Sequence, residues 1–280
     1  MRFAKRLLLK YVKVKFKLLS LISDRIAAKA AFNLFVTPQV RNKKQPPHVF
    51  ECAEKLKTVF NDTSIVGYRW NHPQTKKVLI LHGFESSAVN FGSFVEPLVA
   101  KNYEVLAFDA PAHGRSGGKQ IHAIIYKQFI QFIVEQFGPV HNFITHSFGG
   151  LALSLVLEET PHDETWRVVF IAPATESTTA MDRFFQLVDL NEDIRKEFDK
   201  LITAANNKPP EWYSVARAAE NIKAQVLFLQ DKNDELTPFA DVEPIIEKNY
   251  PNFNFVISER LGHQRIYRDS GSIEKVMKFF

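Results

Sequence analysis

The stretch Thr145-His146-Ser147-Phe148-Gly149-Gly150 follows the apolar run Phe143-Ile144 and leads straight into a helix-forming segment. A serine on so sharp a strand-to-helix turn is exposed at the edge of a sheet, and small residues beside it are needed because the turn is crowded and strained. Gly149 and Gly150 supply that room. The N–H of Phe148, at the start of the helix, is then placed to stabilise a developing oxyanion.

Working outward, further apolar runs occupy 78–81, 105–108, 168–171, 226–229 and 253–257, with helix candidates near 88–100, 121–136, 149–159, 239–249 and 272–280. This alternation predicts an α/β fold with a mostly parallel central sheet flanked by helices. Strands buried on both faces should read as continuously apolar, and these mostly do. Ligands in such sheets bind beyond the carboxyl ends of the strands, so the residues just after each run carry the information. One connection, 174–222, is longer than the rest and has helical apolar spacing at Phe184, Phe185 and Val188 and again at Ile194, Phe198 and Leu201. A short helical insertion of that kind is expected to act as a lid.

Over roughly residues 76–265 the chain resembles the α/β-hydrolase superfamily. The turn at Ser147 is similar to the superfamily's G-x-S-x-G elbow, with Thr145 in place of the first glycine. His82-Gly83-Phe84 looks like the oxyanion loop. The segment Asp109-Ala110-Pro111-Ala112-His113-Gly114-Arg115-Ser116 is similar to D-x-P-G-H-G-x-S, with Ala112 replacing a glycine. Asp234-Glu235-Leu236-Thr237-Pro238 resembles the D-x-x-V-P loop, and Gly262-His263 the terminal G-H.

The resemblance implies Ser147 as nucleophile, His263 as general base, Asp234 as the carboxylate that orients the histidine, and an oxyanion hole made by the N–H groups of Phe84 and Phe148. A serine hydroxyl is a poor nucleophile unless an imidazole takes its proton, and that imidazole needs a carboxylate to fix its tautomer. Asp231 and Glu235 are close rivals for the carboxylate, while His82, His113 and His146 read as loop-orienting residues. No cofactor is implied, and without an H-E-x-x-H or clustered Cys/His spacing a metal site has no support. The implied activity is hydrolysis of a carboxylic ester or thioester with an apolar acyl group. Acyl transfer, amide or peptide cleavage, carbon–carbon bond hydrolysis and a non-catalytic binding role on the same fold remain as alternatives. Relatives that act on halides or epoxides place an aspartate where Ser147 stands.

The net charge of +5 conceals an asymmetry: residues 1–44 hold twelve Lys/Arg against Asp24 alone, which leaves the remainder mildly acidic. The sequence therefore divides into a basic N-terminal segment and linker, 1–44, and a catalytic domain, 45–280. Residues 1–22 begin like a secretory signal, but Lys10, Lys13, Lys15 and Lys17 interrupt the apolar stretch that export or bilayer spanning requires. On a helical wheel Leu7, Leu8, Tyr11, Val12, Val14, Leu18, Leu19, Leu21 and Ile22 fall on one half and most lysines on the other, with Leu9, Lys15 and Phe16 as misfits. Such a helix, within residues 1–30, suits an anionic membrane surface, or its apolar face packs on the protein's own body. Residues 12–17 also alternate like a strand. No nucleic-acid partner is expected, because no recognition motif accompanies the lysines. Cys52 is the single cysteine, so no disulfide forms within the chain. A cytoplasmic location, or a peripheral one on the inner face of a membrane, fits both features.

Overall fold

A computed structural model describes every residue except Met1 and Lys43, and the side chains from Arg6 onward apart from Lys43. In chain order the elements are α1 (Arg2–Ile22), α2 (Asp24–Phe35), β1 (Glu54–Phe60), β2 (Thr63–Trp70), β3 (Lys77–Leu81), α3 (Val95–Ala100), β4 (Glu104–Phe108), α4 (Ala123–Phe137), β5 (Asn142–His146), α5 (Phe148–Glu159), β6 (Arg167–Ile171), α6 (Ser177–Val188), α7 (Glu192–Asn206), α8 (Val215–Ala218), β7 (Gln225–Asp231), α9 (Glu243–Lys248), β8 (Phe253–Ser258), α10 (Gly262–Arg265) and α11 (Ser270–Phe279). They form two compact units, one of residues 38–175 and 214–280, the other of residues 1–37 and 176–213.

The larger unit is built on one eight-stranded sheet with the order β1-β2-β4-β3-β5-β6-β7-β8. From β4 to β8 all neighbours are parallel, and β1–β2 and β2–β4 are antiparallel. Because side chains alternate across a strand, each parallel strand feeds two cores. Leu79, Leu106, Val168 and Phe170 join a core with α4 and α5, whereas Val78, Val105, Val169 and Ile171 join one with α3 and α11. Helices cover both faces, as the continuous apolar runs require. The hairpin β1–β2 is the element the apolar runs do not announce. Its outer strand alternates exposed Lys55 and Lys57 with buried Leu56 and Phe60, and it turns through Asn61 and Asp62, both at positive φ.

In the smaller unit, α2 lies along α7 and α1 packs on α2. Ala27, Ala28 and Ala31 are fully buried, and their small side chains let helices approach closely. Around them Phe198 meets the rings of Phe32, Phe35 and Phe185 at centroid distances of 5.8, 5.8 and 5.1 Å, two of them close to edge-on. Asn191 caps α7 by accepting from the Ile194 N–H at 2.9 Å. The basic N-terminal segment is thus helical through residues 12–17, and it forms one unit with the insertion read as a lid. Two of the wheel's misfits belong to the less exposed side: among the described side chains of α1 Phe16 is the buried one, and half-buried Leu9, Val12 and Leu19 lie on the same side of the helix. Among the described residues no helix is long and apolar enough to cross a membrane.

Phe198 is fully buried and central to the aromatic cluster, so Phe198→Ala is expected to destabilise the unit by about 3–5 kcal/mol, read by urea unfolding followed at the helical circular dichroism signal.

Candidate active site

Ser147 directly follows β5, in the middle of the sheet, and stands at φ 53° and ψ −122° before the first residue of α5. Neighbouring backbone pins this strained turn: the Ser147 N–H donates to Ile171 O at 3.1 Å, and Ser147 O accepts from Ala174 and Gly150 N–H. A Cβ at Gly149 would lie 2.7 Å from Leu81 O and 2.8 Å from His82 O, so a side chain there would displace main chain. Thr145, standing where the resemblance has glycine, fits because it needs no positive φ; its buried hydroxyl donates to Val169 O at 3.0 Å.

Asp234 follows β7 and His263 follows β8, so parallel pairing brings both to the sheet edge that carries Ser147. The Ser147 hydroxyl donates to His263 Nε2 at 3.0 Å, and His263 Nδ1–H donates to Asp234 Oδ2 at 2.8 Å. Asp234 is buried, and burial alone would raise its pKa. The hydrogen bond from His263 and those from the N–H and hydroxyl of Thr237 outweigh that and hold it below the ordinary carboxylate value.

Of the three carboxylates near this loop, Asp234 is the one that meets His263. Asp231 accepts from Asn233 N–H, Leu261 N–H and the Ser258 hydroxyl, which ties the loop carrying Asp234 to the loop carrying His263. Glu235 is exposed. Sequence reasoning gave Thr237 no role, yet its hydroxyl donates to Asp234 Oδ2 at 2.8 Å and lies 3.3 Å from His263 Nδ1. The signal was its position, one residue before Pro238 in the loop that supplies the carboxylate.

Phe84 and Phe148 flank the serine. Phe148 opens α5, so its N–H is one of the donors a helix leaves unsatisfied. The loop holding Phe84 abuts the nucleophile closely: a Cβ at Gly83 would come within 2.8 Å of Ser147 Cβ. Two buried imidazoles fix that loop on either side of Phe84. Ala110 N–H donates to His82 Nε2, so His82 Nδ1–H donates to Gly83 O at 2.7 Å. Glu85 N–H donates to His113 Nε2 at 2.9 Å, and His113 Nδ1–H donates to Pro111 O. A third, His146, donates from Nε2 to the backbone O of His263 at 3.0 Å and packs on that ring at 4.6 Å. Ala112 adopts φ 66°, the left-handed conformation for which the related turn uses glycine. Among the described residues no group of three or more His, Cys, Asp or Glu could hold a metal ion.

A serine presented on a left-handed turn between a central strand and its helix, with carboxylate and histidine following in that chain order, is the arrangement of an α/β hydrolase, and the protein is of that class. Residues 72–214 match the family model described as serine aminopeptidase, S33, and as the match spans half of the chain and contains Ser147, the chain belongs to that family. Solved structures with the same fold include an esterase from Pyrococcus furiosus, 22% identical with a TM-score of 0.64 over 87% of this chain and 96% of that one. The thioesterase domain from the curacin biosynthetic pathway is 13% identical with a TM-score of 0.59 over 81% and 99%. Mouse α/β hydrolase domain-containing protein 10 is 14% identical with a TM-score of 0.60 over 81% and 96%. No curated protein sequence matches the chain.

Burial, ahead of every other influence, lowers the pKa of His82 to about 4 and those of His113 and His146 to about 3. All three are therefore neutral in the fold at pH 7, while in the unfolded chain they take up protons near pH 6.5. A depressed folded pKa gives stability that is complete above pH 6.5 and is lost as the pH falls toward 4 and 3. Urea-unfolding free energies are expected to fall across this window, each imidazole adding up to about 1.4 kcal/mol per pH unit. His113→Gln should flatten the slope by one such increment.

Proposed function

We propose that this protein is a serine hydrolase that cleaves a carboxylic ester or thioester with an apolar acyl group through an acyl-enzyme. The observation that carries it is the unbroken chain of hydrogen bonds from Asp234 through His263 to the Ser147 hydroxyl. In the first half-reaction Ser147 Oγ bonds to the substrate carbonyl carbon as its proton passes to His263 Nε2, and the imidazolium is held by Asp234. The oxyanion receives the N–H groups of Phe84 and Phe148. On collapse the bond to the leaving alcohol or thiol breaks, and His263 returns the proton to it. In the second half-reaction His263 takes a proton from water, whose oxygen attacks the acyl carbon, and the acid leaves as Ser147 regains its hydrogen.

The apolar acyl preference is supported by the aromatic surroundings of the two donors. The Phe84 and Phe148 rings lie edge-on 5.9 Å apart, and Phe148 packs on Tyr126 at 5.4 Å. The family description favours amide or peptide cleavage on the same triad as the second reading. A lid role for the insertion that bears α6 and α7 belongs to the same proposal, since that segment leaves the sheet directly after β6, the strand that anchors the Ser147 turn.

A fluorophosphonate probe is expected to label the wild type and to fail on Ser147→Ala and His263→Ala, while p-nitrophenyl esters and thioesters of increasing chain length, beside aminoacyl anilides, rank the substrates. Folded wild type that stays unlabelled would overturn the assignment. Asp234→Asn should lower kcat by about 10³–10⁴-fold through loss of the correct tautomer. Thr237→Val is expected to lower kcat about tenfold with KM unchanged, equivalent to one lost hydrogen bond of about 1.4 kcal/mol to the carboxylate.

A further inference from the structure

Helix α1 has two apolar faces of different fate. One is the narrow strip of Leu9, Val12, Phe16 and Leu19 that packs within its own unit. On the opposite side Leu7, Tyr11, Val14, Leu18, Leu21 and Ile22 are each between 58% and 78% exposed. At 3.6 residues per turn these six fall on one continuous face, which large apolar side chains occupy in solution only when something covers it. Arg6, Lys10 and Lys17 run along one border of that face and Lys15 stands on the other, all exposed. No Asp or Glu occurs from residue 1 to residue 22.

We infer that this face of α1 binds an anionic lipid surface, lying in the plane of the interface with the six apolar side chains inserted and the basic border among lipid phosphates. Three observations select that occupant. The helix is long enough to span a bilayer but is interrupted by Lys10, Lys13, Lys15 and Lys17, which suits it to a surface and not to a hydrocarbon core. Its charge is of one sign and sits beside the apolar face, where long Lys and Arg stems reach from apolar interface to headgroup. A second copy of the chain would bring the same basic border against its own kind, and this repulsion opposes self-pairing through the face. The inference goes beyond the proposed function and does not rest on it, since binding requires no catalysis.

The test is co-sedimentation of the full chain with phosphatidylcholine vesicles, with and without phosphatidylglycerol, at low and high salt. The protein is expected to pellet with the vesicles that contain phosphatidylglycerol, less so as salt rises, and to stay in solution with phosphatidylcholine alone. Leu7→Gln/Tyr11→Gln/Leu18→Gln, made at exposed positions with a residue that favours helix, should weaken partitioning about tenfold or more. The same variant should keep the wild-type circular dichroism spectrum and unfolding midpoint. Lys10→Gln/Lys17→Gln, which leaves the apolar face intact, should weaken binding to anionic vesicles and reduce its salt dependence. Wild type that remains in the supernatant with anionic vesicles overturns the inference, as does equal pelleting with neutral ones. A concentration-dependent dimer in sedimentation velocity that the triple variant abolishes, without vesicle binding, assigns the face to a second copy instead.

Discussion

The turn at Ser147 constrains the rest of the larger unit. A non-glycine residue held at φ 53° and ψ −122° persists only where its surroundings leave no alternative, and here they approach from three sides. Ile171 O anchors the turn from the neighbouring strand, Leu81 and His82 carbonyls press against Gly149, and Gly83 lies against the serine's own Cβ. Each contact demands a particular neighbour. Glycine at 83 and 149, parallel pairing of β3, β5 and β6, and a hydroxyl at Thr145 that bonds across to β6 are all conditions for one exposed oxygen.

Around that turn the larger unit uses uncharged imidazoles as struts. His82, His113 and His146 each join a loop to its neighbour through a ring nitrogen, and burial keeps them neutral. Asp231 does comparable work as a carboxylate, gathering donors from three segments. Both carboxylates are held ionised by the donors around them, and Asp234 is held so beside the His263 imidazole.

The legible parts of this protein were those where one physical requirement dominates a short stretch. Strands buried on both faces must be continuously apolar, and β3 to β7 were readable mainly for that reason, while edge strand β8 carries exposed Asn254 within its run; the small residues after Ser147 were readable because the turn allows little else. The hairpin of β1 and β2 was not, because Lys55 and Lys57 alternate with Leu56 and Phe60 and an Asn-Asp turn replaces the more familiar glycine pair. Thr237 was missed because its hydroxyl acts through a contact that only the folded loop creates. The wheel of α1 identified an amphipathic helix but set Phe16 and Leu9 aside as misfits, although they share the less exposed strip with Val12 and Leu19, which the wheel placed on its apolar half. A single-helix pattern cannot anticipate a helix with two apolar faces, since the two merge into one blurred arc.

The pairing of α2 with α7 joins a helix that precedes the whole sheet to a segment that lies beyond six of the eight strands. On a ribosome, Ala27, Ala28 and Ala31 emerge long before α7 exists to pair with their helix, and α2 waits through the synthesis of most of the sheet. Contacts so distant in sequence form late, because the long intervening loop must close before they give anything back. Helix α2 is thus made well before the helix it pairs with, and until α7 is synthesised its buried alanine face has no partner from that helix.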